Sequence, residues 1–117
     1  MKYSDLRVWQ DAMNLVTEVY QMTKLFPSEE NFGLASQCQK AAVSVPSNIA
    51  EGHGRKSTNA YVNYLSIAFG SLMELETQVQ IAARLEYITE DDAIRFLAKT
   101  DQFGKMIGAL KNSLSKS

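Results

Sequence analysis

Apolar residues recur at alternating steps of four and three between residues 61 and 82 of this 117-residue chain. The repeating positions are Tyr61, Leu65, Ala68, Leu72, Leu75, Val79 and Ala82. This heptad spacing aligns apolar side chains along one side of an α-helix. Because such a helix needs partner helices to cover that side, the pattern predicts a helical bundle. Ser57 or Thr58 is expected to cap the start of this helix, which should end between Leu85 and Tyr87.

Three other segments repeat apolar residues with helical spacing. The first covers about Ser4–Leu25 and the last about Thr89–Leu114. The second starts within residues 28–32 and ends at Glu51. Four helices joined by short loops predict an all-α fold with a single domain over residues 1–117. Its architecture is expected to be an antiparallel up-down-up-down four-helix bundle.

Pro46 lies inside the second predicted helix. Proline has no backbone N–H, and its ring crowds the carbonyl group four residues earlier, here that of Ala42. We therefore expect the second helix to be kinked or broken near Pro46.

The first predicted helix carries two apolar rows rather than one. They are Leu6, Trp9, Met13, Val16, Tyr20 and Val8, Ala12, Leu15, Val19, Met22, Phe26. A helix that is apolar over so much of its circumference must contact more than one neighbour. The second row therefore predicts self-association of the chain.

The charge and the cysteine content limit the functional class and the cellular compartment that we expect for the chain. Twelve Lys and Arg stand against 13 Asp and Glu, so the net charge of −1 does not by itself indicate a nucleic-acid-binding protein. Cys38 is the only cysteine, cannot form an internal disulfide and is expected in the core. No signal peptide or membrane-spanning segment is recognisable, so a cytoplasmic protein without membrane contact is expected.

The sequence contains no recognisable pattern of catalytic or metal-binding residues. His53 is the only histidine and is interpreted as a loop residue between two glycines. Zinc sites need about four ligands, and di-iron bundles need paired Glu-x-x-His motifs. Glu74 and Glu76 are two positions apart, so their side chains point about 200° away from each other on a helix. We therefore expect no catalytic residues, no metal, no cofactor and no enzymatic activity.

The segment 52–58 and the last helix are the candidates for anion binding. Gly52 to Thr58 does not fit the Walker pattern, but Arg55, Lys56 and Ser57 precede a helix N-terminus, which favours anions. The alternative is a glycine-rich turn with a capping serine. After its acidic first turn, from Ala93 to Ser117, the last segment has five basic residues against Asp101 alone: Arg95, Lys99, Lys105, Lys111 and Lys116. These residues form either a stripe that faces nucleic acid or a face exposed to solvent. For the first interpretation, Arg95 and Lys99 join the basic loop as candidate binding residues.

Five motifs resemble the 23S rRNA intervening-sequence protein family. They are Leu6-x-Val8-Trp9-Gln10, Phe26-Pro27, Phe32-Gly33-Leu34-x-x-Gln37, Ser44-Val45-Pro46-Ser47-Asn48-Ile49-Ala50-Glu51-Gly52 and Ile67-Ala68-x-Gly70-Ser71-Leu72-x-Glu74-Leu75-Glu76-Thr77-Gln78. The resemblance implies a four-helix bundle that forms a homopentamer. It also implies kinship with the accessory protein of diversity-generating retroelements, a pentamer that binds nucleic acid and a reverse transcriptase.

The resemblance transfers no catalytic residue. Asn48, Glu51, Gly52 and Arg55 match the family's motif, as does Glu74 in the third helix, and the role of that motif is unsettled. The leading hypothesis is a non-catalytic homo-oligomeric interaction protein that binds RNA or a ribonucleoprotein partner through the basic loop and the last helix. The alternative is a protein-binding scaffold with no affinity for nucleic acid.

Overall fold

A computed structural model describes residues 1–116 and contains four α-helices and no strand in that range. The helices are α1 (Arg7–Thr23), α2 (Leu34–His53), α3 (Thr58–Arg84) and α4 (Glu90–Ser115), with short 3-10 turns at Tyr3–Asp5 and Ser28–Glu30. The predicted all-α four-helix fold is confirmed. Ser117, the last residue of the predicted domain, lies outside the described residues.

Each helix runs antiparallel to the next along a bundle of 46 × 24 × 20 Å. α2 and α3 pack most closely, and α1 and α4 have the sparsest contact of the four neighbouring pairs. The α2–α3 turn, the start of α1 and the end of α4 lie at one end of the bundle. The α1–α2 and α3–α4 connections lie at the opposite end.

The heptad positions of α3 form the centre of the core. Six of the seven are fully buried, namely Leu65, Ala68, Leu72, Leu75, Val79 and Ala82. Tyr61, the seventh, is half-buried. Cys38 is also buried, as predicted, and burial raises the pKa of its thiol to about 11. This thiol is therefore protonated at neutral pH and contributes as a small apolar side chain.

Side chains cap α3 and α4 at the predicted positions. The Ser57 hydroxyl accepts a hydrogen bond from the Ala60 amide at 3.2 Å. The Thr89 hydroxyl accepts one from the Asp92 amide at 3.0 Å. These bonds satisfy amide groups that have no partner within the helix.

The expected starts of α1 and α2 are wrong by a few residues. α1 begins at Arg7 because residues 3–5 form a separate turn and Leu6 is extended, with φ −72° and ψ 127°. The Asp5 carboxylate accepts a bond from the Lys2 amide at 3.2 Å and so belongs to that turn. α2 begins at Leu34, after the turn at Ser28–Glu30.

α2 continues through Pro46 and ends at His53. The helix is unbroken from Leu34 to His53, so the bundle accommodates the proline without a break. Pro46 is buried. The interpretation of His53 as a loop residue is wrong, because it forms the last helical residue and Gly54 is the C-cap.

α3 ends in a left-handed residue that turns the chain toward the α1–α2 connection. Glu86 has φ 62°, and the next amide, that of Tyr87, donates to the Ala82 carbonyl at 2.9 Å. This is the Schellman arrangement of a helix C-terminus. It positions Tyr87 beside Phe26, with ring centroids 5.5 Å apart.

Glu30 joins the two connections at this end of the bundle. Its carboxylate accepts hydrogen bonds from the Leu34 amide at 3.0 Å and from the Tyr87 hydroxyl at 2.8 Å. The backbone bond first, and then the bond from Tyr87, lower the pKa of Glu30 below its ordinary value of 4.5. The same bond raises the pKa of Tyr87 above its ordinary value of 10.0.

Glu30→Gln should destabilise the fold more at pH 7 than at pH 3. Because the folded-state pKa of Glu30 is lowered, its ionised form adds stability above pH 4.5, and this stability is lost as pH falls below that value. Urea unfolding at both pH values measures the difference from the unmodified protein. Glu29→Gln is the control, since the exposed Glu29 makes neither of these bonds. An equal effect of Glu30→Gln at both pH values would contradict this assignment.

Candidate functional site

The loop candidates Arg55, Lys56 and Ser57 lie together at the α2–α3 turn. Arg55 Nη2 donates to Glu51 Oε2 at 3.1 Å and to the Tyr64 hydroxyl at 2.8 Å. Its guanidinium also lies 5.0 Å from the centroid of the Tyr64 ring. Ser57 is occupied as the α3 cap. Lys56 is exposed and forms no ion pair with any residue in the range 1–116.

The candidates on α4 lie in the opposite half of the bundle and are paired with acids. Arg95 forms an ion pair with Asp92 one turn earlier on α4. Lys99 forms one with Glu18 of α1. α4 starts at the end of the bundle away from the α2–α3 turn, so the fold does not bring these two residues to the basic loop.

Charged side chains are unevenly distributed along the bundle, although the net charge of the chain is close to zero. We call the residues 1–11, 51–58 and 109–116 the basic end. It carries six basic side chains against three acidic ones: Lys2, Arg7, Arg55, Lys56, Lys111 and Lys116 against Asp5, Asp11 and Glu51. Arg7 pairs with Asp11 and Arg55 with Glu51, whereas Lys56, Lys111 and Lys116 form no ion pair within the described chain.

The opposite end has the reverse balance. We call the residues 24–34 and 84–96 the acidic end. It carries six acidic side chains against three basic ones: Glu29, Glu30, Glu86, Glu90, Asp91 and Asp92 against Lys24, Arg84 and Arg95. Lys111 and Lys116 lie at the same end as Lys56 because α3 and α4 are antiparallel.

Three residues of the second-helix motif lie along the close contact between α2 and α3. The hydroxyl groups of Ser44 and Ser71 share a hydrogen bond of 2.7 Å between the two helices. Asn48 donates to the Ser44 hydroxyl at 2.9 Å and to the Ser44 carbonyl at 2.7 Å. A Cβ atom on Gly52 would lie 2.7 Å from Tyr64 Cβ, so only glycine fits there. In this structure these motif residues pack one helix against another.

The acidic motif residues and His53 do not form a reactive cluster. Glu51 pairs with Arg55, and Glu74 is exposed on α3. The His53 ring lies edge-on to that of Tyr61, with centroids 5.7 Å apart. Within residues 1–116, no three His, Cys, Asp or Glu side chains are grouped closely enough to hold a metal ion.

The outer face of α1 and α2 is apolar and open. One row of α1 is buried in the core, including Val8, Ala12, Leu15 and Val19. The other row is only partly covered, since Met13 is 41% exposed and Tyr20 is 44% exposed, whereas Leu6, Trp9 and Val16 pack against the core and are partly buried. It borders a groove of about 300 Å³ lined by Tyr3, Trp9, Met13, Val16, Val43, Pro46, Ser47 and Ala50. None of the described residues in this lining is charged. We call this surface the lateral face.

The sequence model of one family, described as 23S rRNA-intervening sequence protein, matches residues 4–109. The chain belongs to this family. The match includes α1, α2, α3 and most of α4, and it therefore includes the α2–α3 contact and the lateral face. Lys111 and Lys116 lie beyond the matched residues.

A solved structure has the same fold as this chain. It is a crystal structure of a protein of unknown function from the S23 ribosomal protein family of Bacteroides thetaiotaomicron. The two structures agree with a TM-score of 0.82 at 20% sequence identity, over 89% of this chain and 97% of the other. Comparison with curated proteins gives no significant match.

The helices were also compared with the requirements of a membrane span. None of the helices within residues 1–116 combines the length and the apolar character needed to cross a bilayer.

Proposed function

We propose that this protein is a non-catalytic, cytoplasmic interaction protein that works as a homo-oligomer and assembles through the lateral face. The observation that carries the proposal is the second apolar row of α1, in which Met13 and Tyr20 stay exposed although Leu6, Trp9 and Val16 are partly buried against the core. The groove beside that row has no charged lining residue. A partner of the same chemistry can therefore cover it without desolvating an ion.

The physical gain of assembly comes from burying this row. Removal of apolar surface from water is worth about 25 cal/mol per Å², and aromatic side chains such as Trp9 and Tyr20 are common anchors of protein interfaces. The family resemblance suggests five copies. Five subunits around one axis would each contribute two different surfaces, the lateral face toward one neighbour and a second surface toward the other.

Met13→Glu combined with Tyr20→Glu should dissociate the oligomer to single chains of 13.1 kDa. Met13→Glu would place a charge in the groove, whose described lining offers no counter-charge, and Tyr20→Glu would remove a large exposed apolar side chain from the same face. Burial of an unpaired charge costs up to several kcal/mol, so both changes favour the monomer. Light scattering after gel filtration measures the mass. Ile67→Glu combined with Ile81→Glu on α3 is the control, because those side chains are similarly exposed, at 44% and 41%. Dissociation by both pairs, or by neither, would contradict assembly through the lateral face.

RNA is the second candidate ligand, and the basic end favours it. Lys56, Lys111 and Lys116 form no ion pair in the described chain, and all three lie at the same end of the bundle. In a ring whose axis runs along the bundles, cyclic symmetry would place every basic end on one face of the ring. Repetition of a weak phosphate site on that face would raise the overall affinity by multivalency.

The scaffold without nucleic-acid affinity is the alternative to RNA binding. Arg55, Arg95 and Lys99 are each paired with a carboxylate, which reduces the field they present to a phosphate. Retention of the oligomer without any RNA binding at low salt would favour the scaffold.

A further inference from the structure

The acidic end holds most of the large apolar side chains that are more than half exposed among the described residues. Five large apolar side chains within residues 1–116 are more than half exposed, and four of them lie here. They are Phe32 at 100%, Leu25 at 63%, Ile94 at 59% and Leu85 at 51%. They come from both connections and from the start of α4, and the contact between Glu30 and Tyr87 holds those connections together. Scattered apolar residues need no explanation, but a concentration at one end indicates a binding surface.

The carboxylates at this end are largely unpaired. Asp92 pairs with Arg95, and Glu30 accepts bonds from Leu34 and Tyr87. The other four, Glu29, Glu86, Glu90 and Asp91, are exposed and form no ion pair with any described residue. Since like charges repel at short range, their grouping around exposed apolar side chains favours a partner of opposite charge.

A groove between α1 and α4 opens beside these residues. It has a volume of about 280 Å³, and its apolar lining includes Met22, Leu25 and Phe96. Its polar lining contains two internal ion pairs, Asp92 with Arg95 and Glu18 with Lys99, so the groove itself is balanced in charge. The sparse contact between α1 and α4 creates this space, and a groove of this kind accepts an apolar side chain of a partner.

We propose that the acidic end docks a cationic amphipathic segment of another protein, with Lys or Arg side chains facing the carboxylates and apolar side chains packing on Phe32, Leu25 and Ile94. This surface is separate from the lateral face and does not depend on the proposed assembly. RNA does not fit, because its phosphates would face the carboxylates.

A second copy of the chain fits this surface less well. The lateral face has no charged residue in its groove to meet the carboxylates. The basic end has the charge, but among the described residues there only Met1 exposes more than half of a large apolar side chain. Neither surface combines basic side chains with exposed apolar side chains, and a partner of the acidic end needs both.

The test uses a short synthetic helix of Leu and Lys as the probe, labelled with fluorescein and carrying a benzophenone at its centre. Fluorescence anisotropy measures its affinity for the full chain, and photo-crosslinking maps its position. Phe32→Ser and Ile94→Ser should each weaken binding by about tenfold, as expected for anchors of an interface. Ile67→Ser, which removes a similarly apolar side chain elsewhere, should leave the affinity unchanged.

The charge contribution is tested with Glu90→Gln combined with Asp91→Asn. This pair should weaken binding and flatten its salt dependence, because two of the unpaired carboxylates are removed. Crosslinks should map to residues 24–34 and 84–96. Crosslinks elsewhere, or full affinity of the Phe32→Ser and Ile94→Ser variants, would overturn the proposal. A loss of oligomer mass in those two variants would assign the surface to a second copy and would also overturn it.

Discussion

Gly52→Ala is expected to lower the free energy of unfolding by about 1–2 kcal/mol, since overpacking costs about 1–3 kcal/mol and helix propensity returns up to about 1 kcal/mol. A Cβ atom at this position would lie 2.7 Å from Tyr64 Cβ, 3.1 Å from Tyr61 Cδ1 and 3.3 Å from the Tyr61 carbonyl oxygen. Neither Tyr64 Cβ nor a carbonyl can move without the backbone of α3. The substitution therefore pushes apart the two helices that pack most closely in the bundle.

Gly70→Ala is a matched control, for which we expect the free energy of unfolding to change in the opposite direction. No heavy atom lies within 4 Å of a Cβ built there, in the middle of α3. Alanine should therefore raise stability by about 0.5–1 kcal/mol through helix propensity alone. Urea unfolding of both variants at one protein concentration measures the pair, because oligomer stability depends on concentration. A stabilised Gly52→Ala variant would show that the close α2–α3 contact does not constrain this position.

Replacing Lys56, Lys111 and Lys116 together with glutamine is expected to weaken binding of a structured RNA by at least about tenfold at low salt. Each phosphate contact contributes about 0.7–0.9 to the slope of log affinity against log salt, so the slope should fall by about 2. Titration of a labelled RNA hairpin at several salt concentrations measures both quantities.

A second triple variant tests whether RNA affinity depends on where the basic residues lie or only on the net charge of the protein. Lys24→Gln, Arg84→Gln and Lys105→Gln remove the same charge from the acidic end and the middle of the bundle. The affinity of this variant should stay within about twofold of the unmodified protein, because distant exposed charges are screened by salt. If both triple variants lose the same affinity, RNA responds only to net charge and the basic end is not a site.

The sequence predicts most of the fold because one strong signal repeats along the chain. The heptad of α3 identifies six fully buried residues, and the spacing of α1 distinguishes a row in the core from one that is only partly covered. Ser57 and Thr89 could be recognised as caps because capping needs only residues that are close in sequence. The helix starts were less predictable, since Leu6 and Gly33 are set by short turns that compete with the helix.

The candidate surfaces could be predicted only in part, since they depend on residues far apart in sequence. Lys56 and Lys116 are 60 positions apart and share one end only because α3 and α4 are antiparallel. The partner of Lys99 is Glu18, on a different helix, so periodicity within α4 could not reveal it. The role of Gly52 required the position of the Tyr64 backbone across the α2–α3 contact.

The mass of the unmodified protein in solution tests the central claim most directly. Sedimentation velocity from low to high micromolar concentration would separate a single chain of 13.1 kDa from an assembly. Assembly through the lateral face should give one dominant species, with a mass of about five chains if the family resemblance extends to the oligomer. A particle of 13.1 kDa throughout that range would contradict the proposed homo-oligomer.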